Sequence, residues 1–208
     1  MHFKNIKCIL FDLDGVLVDG HPLQLKSTLD SLKKYINCTK EVKSLVNETI
    51  PTKEKLKILK SRGLIKKSDI NKIYNNKRKL FDKIAQKKIK FNKKINNVFK
   101  KLKEKNLKVA VVTNSNKSSA IKILKKLQII NLLDLLVTNA NRIKPKPNPE
   151  PYNYAIKKLK VEKKNSLIFE DSPVGILSAK RSGANYFLIK NPNQINLKFL
   201  NKILKIKL

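Results

Sequence analysis

Apolar residues recur along this chain in two rhythms. Short unbroken runs mark strands buried on both faces, and apolar positions three and four apart mark helices with one inward side. Residues 6–13 form the first run, centred on Cys8-Ile9-Leu10-Phe11. From about residue 20 to 92 only the helical rhythm is found. Leu25, Leu29, Leu32 and Ile36 share one face. A second helix starts at Pro51-Thr52, with Thr52 as its cap, Glu54 in its first turn, Leu56 and Leu59 inward, and Arg62-Gly63 at its end. Ser68 or Asp69 opens a third, with Ile70, Ile73, Tyr74, Phe81 and Ile84 on one face.

The strand rhythm then returns and alternates with helices. Ile95, Val98, Phe99 and Leu102 predict a helix, Lys108–Thr113 a strand, and 118–129 a helix carrying Ile121, Leu124 and Leu127. Leu135–Thr138 is a short strand. A proline-rich loop, Lys144–Pro151, leads into a helix with Tyr152, Ala155, Ile156 and Leu159. Ser166–Glu170 is a strand, 174–181 a helix, Tyr186–Ile189 a last strand and Leu197–Leu204 a terminal helix. Such alternation predicts an α/β domain built on a doubly wound parallel sheet, Rossmann-like, from residues 1–19 and 93–208. An all-helical insertion at 20–92 interrupts it.

Polar residues cluster where these strands end. Asp12 and Asp14 follow the first run, with Gly15 next. Acids at the carboxyl end of a buried strand are costly unless a cation or a reaction occupies them, and that end is where open α/β sheets bind ligands. A plain Asp-rich turn is the bland alternative. Thr113-Asn114 closes the second strand; the Thr113 hydroxyl either caps the next helix or, with the Asn114 amide, holds a phosphate oxygen. Lys144 and Lys146 stand among prolines, which aim a side chain at low entropic cost. Glu170-Asp171-Ser172 ends another buried strand. Asp171 or Ser172 can cap the following helix there, and the two acids can face a metal.

Together these pieces resemble the haloacid dehalogenase (HAD) superfamily of phosphohydrolases. Asp12-Leu-Asp14-Gly-Val-Leu-Val-Asp19 is similar to its first motif, Thr113 to its second, Lys146-Pro-Asn-Pro-Glu-Pro-Tyr152 to its third and Glu170-Asp-Ser-Pro-Val-Gly175 to its fourth. Lys146 fits the third motif better than Lys144, because the later residues then fall into place. The resemblance implies Asp12 as nucleophile, Asp14 as general acid and base, and Thr113, Asn114 and Lys146 on the phosphate. It implies Mg²⁺ held by Asp12, Asp171 and the Asp14 backbone carbonyl, with Glu170 bound through water or supporting Lys146. An acid at position 14 favours phosphoryl chemistry over dehalogenation. The insertion resembles the cap of the β-phosphoglucomutase and phosphoglycolate phosphatase branch, which closes over the site and reads the leaving group. Thr52 and Lys53 are its candidates for substrate contact, followed by Lys77 and Arg78. A phosphomutase of that branch carries a histidine twelve positions after the nucleophile; this chain has Gln24, and His21 is off register.

Composition changes this picture little. The chain has 208 residues and a formal net charge of +33, which raises the question of nucleic acid. Yet almost all of the positive charge is lysine, spread over nearly every segment. Only Arg62, Arg78, Arg142 and Arg181 are arginine, the residue suited to bidentate phosphate and base readout. Lysine, asparagine and isoleucine are in joint excess, as AT-rich coding produces. An inactive basic nucleic-acid binder on the same fold is therefore the minor reading. Cys8 and Cys38 form no CxxC pair and read as reduced thiols, no signal-peptide pattern opens the chain, and no apolar run is long enough to cross a bilayer. The expectation is a cytoplasmic, monomeric, Mg²⁺-dependent phosphatase acting on a small phosphorylated metabolite, with a sugar phosphomutase as the alternative.

Overall fold

The computed structural model describes residues 3–48, 50–141, 143–205 and 208. It divides into two compact units, Met1–Asp19 with Ile89–Leu208, and Gly20–Lys88. The return to the first unit thus comes at Ile89 rather than residue 93.

Among the described residues the first unit holds five parallel strands: β1 (Cys8–Phe11), β2 (Lys108–Val112), β3 (Leu135–Val137), β4 (Ser166–Glu170) and β5 (Asn185–Leu188), in the order β3-β2-β1-β4-β5. The chain leaves β1 in one direction for β2 and β3, and returns to its other side for β4 and β5. The reversal beside β1 is the switch point where open α/β sheets bind ligands.

Both faces of the central strands β1, β2 and β4 are covered, which is why they read as apolar runs. Alternate residues Cys8, Leu10, Ala110, Val112 and Ile168 face a core shared with Tyr152, Ala155 and Ile156. On the opposite parity, Phe11 stacks on Phe99 at 5.0 Å and meets Phe169 at 5.3 Å, and Phe169 meets Phe199 at 6.0 Å. Burial pushes the Cys8 thiol up to about 12, so it is an inert core residue.

The helical unit contains α1 (His21–Leu32), α2 (Lys40–Asn47), α3 (Thr52–Ser61) and α4 (Ile70–Lys88). Leu32, Val42, Leu45, Val46, Leu56, Leu59, Ile65 and Ile73 form its core. Helix α2 is absent from the periodicity of the sequence. In α1, Leu32 is buried and Leu25 and Leu29 pack against that core, as the helical spacing predicts, while Ser27, Thr28 and Ser31 form a further buried face that the spacing does not show. Its hydroxyls are satisfied within the helix: Ser27 and Thr28 donate to Gln24 O and Ser31 to Thr28 O. Thr52 does not cap α3. It is the first helical residue, and Pro51 precedes it as the cap position without a side-chain bond. Gly63 ends that helix at φ +71°, as the pattern requires.

The sheet unit completes with α5 (Lys93–Glu104), α6 (Lys117–Lys126), α7 (Glu150–Lys158), α8 (Pro173–Ser182) and α9 (Leu197–Leu204). In α6 the inward isoleucine is Ile123, with Leu124; Ile121 is half-exposed. No helix among the described residues is long and apolar enough to cross a membrane.

Candidate active site

The sheet brings the ends of three strands together. Asp12 follows β1, and its amide still bonds to Phe169 O at 3.0 Å, so the carboxylate leaves a paired backbone. The chain then turns tightly, with the Gly15 amide on Val18 O at 2.6 Å and Gly15 at φ +92°. A Cβ on Gly15 would stand 1.9 Å from Asp171 Oδ2. The glycine is needed twice, for its backbone angle and because the Asp171 carboxylate occupies the space above it.

Thr113 extends β2, its amide on Val137 O at 3.0 Å. Its hydroxyl accepts from the Ser115 amide at 3.0 Å, and the cap of α6 is Asn116, not Thr113. Asn114 has a second role that its position in the sequence does not suggest. Its side chain accepts from Lys146 N at 3.1 Å and donates to Lys146 O at 3.2 Å, clamping the proline loop to the sheet end. Ser178 of α8 holds the same loop through Asn148 O at 2.6 Å.

The clamp sends one lysine inward. Lys146 is 3% exposed, and its Nζ donates to Asp12 Oδ1 at 2.6 Å, Glu170 Oε1 at 2.6 Å and Val112 O at 2.7 Å. The Lys144 side chain is 76% exposed and faces Glu150, 4.0 Å away. Burial alone would lower the Lys146 pKa; the Asp12 and Glu170 charges outweigh it and the pKa is raised. Burial drives Asp12 well above the usual carboxylate range, and Lys146 partly offsets that.

Glu170 is wholly buried and its Oε2 accepts from the Asp171 amide at 3.1 Å. Burial, then the neighbouring Glu170 charge, pushes Asp171 up to about 6. Ser172 caps α8 by accepting from the Gly175 amide at 3.1 Å. Carboxylate oxygens of Asp12, Glu170 and Asp171 all lie within 4.8 Å of one another. An all-oxygen, all-carboxylate set, in which burial disfavours the charge of Asp12 and Asp171, fits a hard divalent cation such as Mg²⁺. The Asp14 side chain is outside this group. Its Oδ2 accepts from Ser115 Oγ at 3.0 Å.

Thr52 and Lys53 belong to the helical unit, where Lys53 Nζ lies 5.1 Å from the centre of the Tyr74 ring. Two functional candidates have little signal in the sequence. Ser115 is visible there only as a third polar residue after a strand, and the Tyr152 hydroxyl is hidden behind an apolar helix pattern.

A sequence profile of haloacid dehalogenase-like hydrolases matches residues 9–189. A Caldanaerobacter subterraneus protein carrying the provisional name pyrophosphatase PpaX is 31% identical over 89% of this chain and 82% of its own. A phosphorylated carbohydrates phosphatase of Thermotoga maritima is 27% identical over 86% and 82%. Among solved structures, β-phosphoglucomutase of Clostridium difficile superposes with a TM-score of 0.77 at 20% identity, covering 95% of this chain and 96% of that one, a likeness of fold. The profile reaches every strand and both halves of the acidic site, and the chain belongs to the haloacid dehalogenase-like hydrolase family.

Proposed function

We propose that this enzyme is a Mg²⁺-dependent phosphatase that hydrolyses a small phosphorylated metabolite through an aspartyl-phosphate. The observation that carries the reading is the buried Asp12–Lys146–Glu170 arrangement at the switch point, with a second acid, Asp14, held by the Ser115 hydroxyl. The names of the pyrophosphatase and carbohydrate phosphatase relatives support the same reaction class.

Asp12, Asp171 and the Asp14 backbone carbonyl would hold Mg²⁺, and Glu170 faces the same group. Bound there, Mg²⁺ supplies positive charge that keeps Asp12 ionised and weakens its repulsion of a phosphate. Lys146 adds a second positive charge beside Asp12. Asp12 attacks phosphorus and forms an acyl phosphate. Asp14, held by Ser115, is the proton carrier: it protonates the departing alkoxide and then takes a proton from the attacking water. Thr113 and the amides beginning the Thr113–Ser115 turn receive phosphate oxygens. Substrate choice falls to the helical unit, with Thr52 and Lys53 as its candidate contacts.

Hydrolysis is favoured over phosphomutase chemistry by Gln24, whose amide has no proton to exchange near neutral pH and whose Oε1 accepts from Lys77 Nζ. The test is phosphate release from a panel of small phosphoesters, with Mg²⁺ and with EDTA, by wild type and Asp12→Asn. Release that needs both the metal and Asp12 is the expected result. A well-folded protein that releases no phosphate but interconverts sugar phosphates would replace this reading with the mutase. Salt-sensitive binding of nucleic acid without turnover would replace both.

A further inference from the structure

Tyr152 looks from the sequence like a core aromatic at the start of α7, and its ring is indeed wholly buried. Its hydroxyl, however, donates to Glu170 Oε1 at 2.5 Å. The same oxygen accepts from Lys146 Nζ at 2.6 Å. The other oxygen of Glu170 accepts from the Asp171 amide at 3.1 Å. The carboxylate also fills the space above Gly175, where a Cβ would stand 2.0 Å from it. Glu170 is thus gripped by a phenol, an ammonium and an amide.

Tyr152 touches the lysine as well. Lys146 Nζ lies 4.8 Å from the centre of its ring, within cation–π range. In its bond to Glu170 the hydroxyl is the donor. One residue therefore holds both the lysine, through its ring, and the lysine's counter-ion, through its hydroxyl.

We propose that Tyr152 is a positioning residue: its hydroxyl fixes the Glu170 carboxylate, and the two together fix the Lys146 ammonium on Asp12. The consequence for turnover rests on the phosphatase reading above, whereas the consequence for geometry does not. Phenylalanine fills the same volume and keeps the ring face, but leaves Glu170 Oε1 held by Lys146 alone. The carboxylate can then swing, and the lysine follows it away from the nucleophile.

The test is Tyr152→Phe in the full chain, read by crystallography and by steady-state phosphate release. The expected structure has Glu170 rotated and Lys146 drawn beyond hydrogen-bond reach of Asp12. The expected kinetics are a fall in kcat of about tenfold at unchanged KM, the size of one hydrogen bond to a charged group felt in the transition state. The same substitution made in a Lys146→Met chain is expected to cost nothing further, because the residue it acts through is gone. A Tyr152→Phe structure with Lys146 still on Asp12 overturns the proposal. So does a kcat loss of equal size with and without Lys146. Failure of the phosphatase reading would show separately, as absent phosphate release by the wild type, and the crystallographic result would still decide the role of Tyr152.

Discussion

Two buried lysines, one taken from each unit, are held in opposite ways. Lys146 in the sheet unit sits between two carboxylates, and its pKa is raised against the pull of burial. Lys55 in the helical unit donates to a backbone carbonyl, Val46 O at 2.5 Å, in the last turn of α2. Burial dominates there and the pKa falls. Both side chains are buried, so depth does not decide the outcome; the partners do. The Val46 carbonyl is one of those a helix leaves unpaired at its end, and Lys55 serves it as a structural donor. Lys146 is held where its charge can act on chemistry.

The sharpest way to break the comparison is to remove both charges. Lys146→Met leaves Asp12 and Glu170 facing each other in a buried site. Breaking a buried pair in this way costs roughly 3–5 kcal/mol of stability. Activity is expected to fall by about 10³-fold, since the charge opposite the phosphate is lost. Denaturant melts and phosphate release measure the two effects, and a variant of wild-type stability would mean that the lysine does not offset the repulsion of the two acids. Lys55→Met should change stability by no more than about 1 kcal/mol near neutral pH, because the lost hydrogen bond and the relieved desolvation oppose each other. Its mark lies in the pH dependence. Between the lowered folded pKa and the unfolded value of 10.5, the unfolded chain binds the extra proton, so wild-type stability rises with pH there. The variant should lack that rise.

Much of the site is legible in the sequence because its chemistry sits where strands stop. An unbroken apolar run followed by Asp12-Leu13-Asp14-Gly15, or by Glu170-Asp171, places acids at a sheet end without any knowledge of the sheet order. What is not legible depends on tertiary partners. Asn114 clamps a loop 32 residues away in sequence, and Tyr152 Oη meets an acid 18 residues on. Neither spacing has a local pattern. The helical unit is harder for a different reason. Helix α2 has only 8 residues, so Val42, Leu45 and Val46 have too little length to establish a period. The apolar face of α1 is legible, but its second buried face of Ser27, Thr28 and Ser31 is not, because a hydrophobic pattern cannot find a face whose polar groups are satisfied by its own helix.

A third prediction sharpens the comparison on the side of the acids. In the metal-free protein Asp171 titrates at about 6, above its ordinary value of 3.8. The folded state therefore binds more protons than the unfolded one between these values, and wild-type stability falls as pH rises through that window. Asp171→Asn should stabilise the protein in EDTA at pH ~7–8 by on the order of 1 kcal/mol, less than the shift alone converts to because the carboxylate is partly exposed. The gain should vanish near pH ~4, where the unfolded carboxyl is also protonated. Mg²⁺ should reverse the order, stabilising wild type through binding while doing little for the variant. Equal stabilisation of both by Mg²⁺ would take Asp171 out of the metal site.

The smallest expected effect on catalysis concerns the second acid, Asp14. Ser115 Oγ donates to Asp14 Oδ2 at 3.0 Å, and the Ser115 amide is itself fixed on Thr113 Oγ1. A neutral donor holds Asp14, whereas an ammonium holds Asp12. Ser115→Ala removes one neutral hydrogen bond, worth about 1 kcal/mol, and should lower kcat/KM by about fivefold. The loss should depend on the leaving group. An alkyl phosphate departs as a strongly basic alkoxide and needs the proton of Asp14 in the transition state. A p-nitrophenyl ester leaves as a stable phenolate and needs it far less. Because kcat/KM reports the path up to the first phosphoryl transfer, later hydrolysis of the acyl phosphate does not blur the contrast. A loss confined to the alkyl ester would place Ser115 behind the proton transfer, and an equal loss on both esters would mean that it supports the turn and nothing more.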